Sequence, residues 1–103
     1  MDFGLTEKQL ESIRALFERY SEVTSVKVFG SRAMGNFRAN SDVDLVCWGE
    51  LDELLLSKIL GDLEQLPMPY FFDLQAYENI RNTKLKEHID TFGKPLYVKA
   101  VNS

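Results

Sequence analysis

The chain has 103 residues, enough for one domain with a single hydrophobic core, and a formal net charge of -4. An acidic chain is poorly suited to binding long nucleic acid, because that affinity comes mostly from Lys and Arg on phosphates. A small anion held through metal ions remains compatible with this charge. The sequence lacks a bilayer-spanning apolar run and a secretory signal. We therefore expect one domain over residues 1–103, in the cytoplasm and without membrane contact.

Helical and extended patterns alternate from the first residues onward. Thr6 and Gln9 form a capping-box pattern, which predicts that a helix begins there. The apolar residues that follow fall on one helical stripe: Leu10, Ile13, Leu16, Phe17 and Tyr20. Residues 25–29 are rich in β-branched side chains and predict a strand, which the Gly30-Ser31 turn ends. A short helix is expected from residue 32 to about residue 37, with Gly35, Asn36 and Asn40 marking its exit and the loop beyond.

The second half of the chain continues this alternation. A strand over residues 42–48 precedes an apolar helix over residues 51–63. Residues 70–76 have the pattern of a central strand, residues 79–92 that of a helix, and residues 96–99 that of an edge strand. The order predicts an α/β (α+β) fold with a mixed sheet of about four or five strands and helices packed on it. Cys47, the single cysteine, lies in an apolar run and is expected to be buried.

Three carboxylates fall within predicted strands. Asp42 and Asp44 are two residues apart, which places them on the same face of a strand at about 6.5 Å along it. Asp73 interrupts the apolar run over residues 70–76. An all-oxygen set suits Mg²⁺, with Mn²⁺ as an alternative, and two such ions can hold an attacking and a leaving oxygen across a phosphorus. We expect Asp42, Asp44 and Asp73 to bind metal.

The turn after the first strand supplies a phosphate-binding element. A helix N-terminus offers free amide donors and the positive end of a dipole to a phosphate. Ser31 adds a hydroxyl donor, Arg32 a formal charge, and Gly35 a second position without a side chain. We therefore expect Gly30, Ser31, Arg32 and Gly35 to bind the phosphates of a nucleoside triphosphate while the aspartates hold the metal ions.

Each of these features also has a structural explanation when it is taken alone. A Gly-Ser turn is ordinary loop chemistry, and an Asp-x-Asp pair often marks a solvated strand start. Arg32 could pair with a surface carboxylate. His88 lies in the last predicted helix beside Leu85 and Ile89 and is expected to be a partly buried structural histidine, outside the site. The combination, in this order and on these elements, is what is specific.

That combination resembles the nucleotidyltransferase superfamily of DNA polymerase β type. The matching residues are Gly30-Ser31, ten further residues, Asp42-Val43-Asp44, and then Asp73 within Phe72-Asp73-Leu74. Residues 29–33 (FGSRA) and 41–45 (SDVDL) are similar to the minimal nucleotidyltransferases, the MNT antitoxins that pair with HEPN toxins. The resemblance covers nearly the whole chain.

The resemblance implies transfer of a nucleoside monophosphate from a triphosphate to a hydroxyl, with two Mg²⁺ ions and release of pyrophosphate. Asp42 and Asp44 would bind both ions, and Asp73 would hold the ion that activates the acceptor hydroxyl. For MNT antitoxins it implies AMP transfer from ATP, or from another triphosphate, to a tyrosine of the HEPN partner. A hetero-oligomer with that partner is expected, and a homo-oligomer remains open.

One position departs from the family pattern. Many members carry a second basic residue in the short helix where this sequence has Met34, which leaves Arg32 and Arg38 as the nearby cations. Two other functions stay open, the first because of this position and the small size of the chain, the second because some relatives in the superfamily have it. The chain could neutralise a HEPN partner by binding alone, without catalysis, or it could transfer a nucleotide to a small molecule such as an antibiotic.

Overall fold

The computed structural model describes residues 2–100, and this part of the chain contains four α-helices, four strands and one short 3-10 helix. The elements are α1 (Glu7–Glu18), β1 (Val23–Phe29), α2 (Gly30–Met34), β2 (Val43–Gly49), α3 (Glu53–Glu64), β3 (Phe72–Ala76), the 3-10 helix (Tyr77–Asn79), α4 (Thr83–Phe92) and β4 (Lys94–Val98). Their order matches the predicted alternation of helices and strands. The mixed α/β architecture is thereby confirmed.

The four strands form one mixed sheet in the order β3-β2-β1-β4. β1 pairs antiparallel with both β2 and β4, whereas β2 and β3 are parallel. The parallel pair requires a crossover connection, and α3 provides it. The predicted position of β4 at an edge is confirmed.

Helices cover both faces of the sheet. On one face, α1 and α3 pack against alternate strand residues, which include Val26, Val28, Val43, Leu45 and Cys47. On the other face, a smaller cluster joins the sheet to α4 and the segment before it through Phe29, Val46, Ile80 and Ile89. Asp44 shares the strand face of Val46, so this second face is the one that carries the candidate site.

The local sequence signals for α1 are confirmed. The Thr6 hydroxyl accepts a hydrogen bond from the Gln9 amide at 3.1 Å, and the Gln9 side chain accepts one from the Thr6 amide at 2.9 Å. The five predicted stripe residues are buried. Such a capping box and a continuous apolar stripe stabilise a helix through contacts that lie close together in the sequence.

Two predictions about the elements are wrong. Residues 70–76 were expected to form a central strand, but β3 lies at an edge of the sheet. Among the described strands, it pairs with β2 alone. Phe71, just before β3, is 77% exposed. The short helix α2 begins at Gly30 rather than at residue 32, and it ends at Met34 rather than near residue 37. Gly35, one of the residues expected to mark its exit, adopts a left-handed conformation that stops the helix.

Among the described helices, none has the length and apolar character needed to cross a membrane.

Candidate active site

The parallel register of β2 and β3 places two predicted site residues side by side. Asp44 pairs directly with Asp73, between the Val43–Phe72 and Leu45–Leu74 pairs. Directly paired residues on neighbouring strands point their side chains to the same face. The two carboxylates therefore meet on the α4 side of the sheet, although 29 positions separate them in the sequence (73 − 44).

Asp42 lies just outside β2, which begins at Val43. It is exposed, and the Val43 amide that follows it donates a hydrogen bond to the carbonyl oxygen of Phe71 at 2.9 Å. Asp42 is close enough to Asp44 for its charge to act on that carboxylate. The three predicted carboxylates thus belong to one end of the β2–β3 pair, with Asp42 at its rim.

The pKa of Asp44 reflects its burial and the neighbouring carboxylates. Burial and, to a smaller extent, the charges of Asp73 and Asp42 together raise this pKa from 3.8 to about 6. Arg32 and His88 oppose the shift without cancelling it. The site therefore carries an excess of negative charge that the neighbouring cationic groups leave uncompensated.

Gly30 forms the turn that faces this carboxylate. Its φ is +73°, a conformation that suits glycine, and a Cβ at this position would lie 2.3 Å from Oδ2 of Asp44. The absence of a side chain is therefore what allows the turn and the carboxylate to approach each other. Ser31 follows in the first turn of α2 and is partly buried.

Gly35 lies at the other end of the same short helix. Its φ is +84°, its amide donates to the carbonyl oxygen of Ser31 at 3.0 Å, and a Cβ would have open space around it. Gly35 thus ends α2 through a local hydrogen bond. Its predicted contact with phosphate remains a prediction.

His88 is a site neighbour that the sequence analysis placed outside the site. It is partly buried as expected, but its Nε2 accepts a hydrogen bond from the Gly30 amide at 2.9 Å. This contact joins α4 to the turn across 58 positions, and no local pattern around His88 indicates it. Only the packing of α4 against α2 brings the two residues together.

Arg32 is the one buried charged side chain among the described residues. It is only 2% exposed, and its guanidinium faces inward, where it donates hydrogen bonds to backbone carbonyl oxygens. Nε donates to Ser41 at 3.1 Å and to Asp42 at 3.3 Å, Nη2 donates to Ser41 at 2.7 Å, and Nη1 donates to Phe3 at 2.8 Å. The donors of Arg32 are therefore directed to these carbonyls, and its predicted contact with phosphate remains a prediction.

The carboxylates fit a divalent cation in chemistry but do not form a complete protein cage. Among residues 2–100, no group of three or more His, Cys, Asp or Glu side chains is arranged to hold a metal ion. Gln75 donates weakly to Asp73, with Nε2 at 3.3 Å from Oδ1. Mg²⁺ commonly takes one or two carboxylates and completes its shell with water and substrate phosphates. The donor type and the excess negative charge therefore fit Mg²⁺ bound together with a triphosphate.

Comparison with known proteins identifies the family. A family model described as polymerase beta, nucleotidyltransferase matches residues 11–101. The chain belongs to this family. A comparison of this nucleotidyltransferase with curated proteins finds no match.

Solved structures similar to this nucleotidyltransferase include several toxin-antitoxin proteins. A toxin-antitoxin structure with AMP-PNP superposes with a TM-score of 0.71 at 23% identity, over 92% of this chain and 75% of that one. An MntA-HepT structure gives 0.70 at 20% identity, over 91% and 74%. A complex of the tri-AMPylated Shewanella oneidensis HEPN toxin with its MNT antitoxin gives 0.69 at 18% identity, over 92% and 74%. At these identities, the similarity establishes the nucleotidyltransferase fold.

Proposed function

We propose that this chain transfers AMP from ATP to a hydroxyl group of a protein partner, in a reaction that depends on Mg²⁺. The observation that carries the proposal is the direct pairing of Asp44 with Asp73 on neighbouring parallel strands, next to the Gly30 turn. Family membership supports nucleotidyl transfer as the reaction class. An AMPylated HEPN toxin in complex with a similar antitoxin supports a HEPN protein as the partner that receives AMP. The tyrosine acceptor rests on the family resemblance of the sequence.

The proposed reaction is a displacement at the α-phosphorus of ATP. The acceptor hydroxyl oxygen forms a bond to this phosphorus, the bond to the oxygen that bridges to the β-phosphorus breaks, and pyrophosphate leaves. Asp73 accepts the proton of the hydroxyl. Mg²⁺ held by Asp42, Asp44 and Asp73 would neutralise the phosphates and stabilise the charge that develops on the oxygens.

The Gly30-Ser31 turn has the complementary task of holding the departing phosphates. Ser31 can donate its hydroxyl, and the following amides of α2 point toward the same end of the helix. The Gly30 amide already donates to His88, so it helps to fix the turn. The turn would thus hold the departing phosphates beside the paired aspartates.

The direct test combines the purified chain with a HEPN protein encoded beside it, Mg²⁺ and ATP labelled at the α-phosphorus. Label should appear on the partner, and Asp44→Asn and Asp73→Asn should each abolish the transfer. Glu11→Gln, an exposed acid on α1, serves as the control and should retain the activity. If none of the four nucleoside triphosphates transfers label while both proteins are folded, the proposed function is wrong.

A second function is favoured by the small number of cationic side chains that α2 offers to a phosphate. Arg32 is buried against backbone carbonyls and Met34 is uncharged, so this helix offers the phosphates less positive charge than the family pattern. We therefore retain neutralisation of a HEPN partner by binding alone as the alternative. A double variant, Asp42→Asn with Asp44→Asn, distinguishes the two functions in cells. Intact neutralisation would favour binding alone, whereas loss of neutralisation with the complex still formed would favour catalysis.

A further inference from the structure

We propose that Arg32 is a positioning residue that holds the loop before β2 and thereby sets the place of the Asp42 carboxylate. Its consequence for catalysis rests on the proposed function, whereas its consequence for the loop does not. The guanidinium donates to the carbonyl oxygens of Ser41 and Asp42 from Nε and to Ser41 from Nη2. It therefore grips the backbone of Asp42 itself and of the residue before it.

The planar shape of the guanidinium matters for this contact. Nε and Nη2 lie on one edge of the group and share the Ser41 carbonyl oxygen, while Nη1 reaches the Phe3 carbonyl oxygen at 2.8 Å. A lysine ammonium has one nitrogen and does not present donors along an edge in this way. The contact is thus specific for arginine, and it also ties the N-terminal segment to the loop.

Two aromatic rings hold the guanidinium in place. Its Cζ lies 4.6 Å from the ring centroid of Tyr70 and 5.2 Å from that of Phe37. Both distances fall within the range of cation-π attraction. The space is also closed on the side of Gly4, where a Cβ would lie 2.8 Å from Nη1 and 2.3 Å from the Phe37 ring. The side chain therefore has one well-defined position.

This arrangement links the two halves of the candidate site. Arg32 belongs to α2, the helix that begins with the Gly30 turn, and its side chain binds the loop that carries Asp42. The turn and the carboxylate loop are therefore fixed relative to each other by one side chain. Because misplacement of a reacting group by about 1 Å can cost about 100-fold in rate, such a link affects turnover more than nucleotide affinity.

Substitution of Arg32 separates a positioning role from a phosphate contact. We expect Arg32→Lys and Arg32→Ala to lower kcat by about 10-fold to 100-fold while the KM for ATP changes less than about 2-fold. A phosphate ligand would behave differently, since Lys would retain much of the function and the KM would rise. Arg19→Gln, an exposed arginine at the far end of α1, is the control and should match the wild type.

Chemical rescue tests the shape of the group. In Arg32→Ala, ethylguanidinium should restore kcat in a saturable manner, whereas ethylammonium at the same concentration should not. If Arg32→Ala does not fold, Tyr70→Leu removes one ring from the arginine and Tyr70→Phe retains it. Tyr70→Leu should then lower kcat, and Tyr70→Phe should not.

A readout independent of activity is the amide NMR spectrum. The signals of Asp42 and Val43 should shift in Arg32→Lys, and in Arg32→Ala they should return toward the wild-type positions when ethylguanidinium is added. If the wild type transfers no nucleotide, the proposed function fails while this arm still decides the loop contact. Unchanged amide signals in folded Arg32 variants, or a rise in KM at constant kcat, would overturn the proposal.

Discussion

The amide of Gly30 donates a hydrogen bond to Nε2 of His88 at 2.9 Å, which joins the first residue of α2 to the middle of α4. Because Nε2 accepts this hydrogen bond, the imidazole is anchored to the turn through that nitrogen. The ring is also held between aromatic neighbours, with its centroid 6.3 Å from that of Phe29 and 5.4 Å from that of Phe92. His88 thus fixes the backbone of the Gly30 turn from outside the turn itself.

Removal of His88 should loosen this turn. We expect His88→Ala to lower the free energy of unfolding by about 1 kcal/mol, because the Gly30 amide loses its acceptor and water can reach the partly buried site. Hydrogen exchange at the Gly30 amide should become faster. Chemical denaturation and amide exchange measure the two effects, with the exposed Glu87→Ala on the same helix as control. Unaltered exchange at Gly30 would contradict the assigned contact.

The raised pKa of Asp44 predicts a dependence of stability on pH in the metal-free protein. The folded-state pKa is about 6, above the ordinary value of 3.8, so the folded state binds the proton more tightly than the unfolded state. As pH rises from about 4 to about 6, ionisation of Asp44 should therefore lower the free energy of unfolding. Above about pH 6 this contribution should level off. Asp44→Asn should remove this dependence.

At pH 8 the same variant should be more stable than the wild type. One pKa unit corresponds to about 1.4 kcal/mol, and solvent at this partly exposed carboxylate reduces the effect, so we expect a gain of roughly 1–2 kcal/mol in EDTA. Chemical denaturation at several pH values measures this gain in the free energy of unfolding. Glu64→Gln, which changes an exposed acid at the end of α3, is the control for the loss of a charge. Equal or lower stability of Asp44→Asn at pH 8 would show that the charge of Asp44 does not destabilise the folded protein.

The sequence predicted those parts of the fold that depend on neighbouring residues. The Thr6 capping box, the stripe of α1 and the alternation of elements are confirmed because each rests on contacts within a few positions. The pairing of Asp44 with Asp73 depends on the register of two parallel strands, which local patterns do not determine. The resemblance to a known family indicated that the two residues act together, and the register shows how they meet.

The burial of Arg32 and the edge position of β3 have a common physical origin, since both depend on residues far apart in the sequence. The residues that bury Arg32 include Phe3 and Tyr70, 29 and 38 positions away in the sequence (32 − 3 and 70 − 32), so its environment was not visible near the Gly-Ser turn. An apolar run indicates that a strand is buried, and it does not indicate where the strand lies in the sheet. β3 lies at an edge, and its apolar residues are buried because α3 covers one of its faces. Position in the sheet is a property of the whole topology.

Substitution of Gly30 should damage the site more than the fold. Gly30→Ala introduces strain at φ +73° and places a Cβ against Oδ2 of Asp44, whereas Gly35→Ala introduces similar strain at φ +84° with open space around the Cβ. Both should lose about 1 kcal/mol or more of stability. Transfer activity should fall about 100-fold in Gly30→Ala and much less in Gly35→Ala. Equal losses of activity in the two folded variants would argue against a critical approach of the turn to Asp44.

Cys47 should be inert in the folded protein. Its side chain is fully buried on the α1 and α3 face of the sheet, and burial raises the pKa of the thiol to about 12. A thiol reagent such as DTNB at pH 8 should therefore react only as the protein unfolds, with one equivalent consumed in denaturant. Rapid labelling under native conditions, in a sample with an intact melting transition, would show that this face of the sheet opens readily.

Met34 offers a gain-of-function test of phosphate binding. It is 49% exposed at the end of α2, where many family members carry a basic residue, so a longer polar side chain fits without repacking the core. We expect Met34→Arg to lower the KM for ATP by about 5-fold, corresponding to about 1 kcal/mol for one added charge-assisted contact, with kcat little changed. Met34→Gln, which is polar but uncharged, should leave the KM near the wild-type value. If Met34→Arg and Met34→Gln have the same KM, the triphosphate does not lie beside this helix, and the assignment of the Gly30-Ser31 turn to the phosphates must be revised.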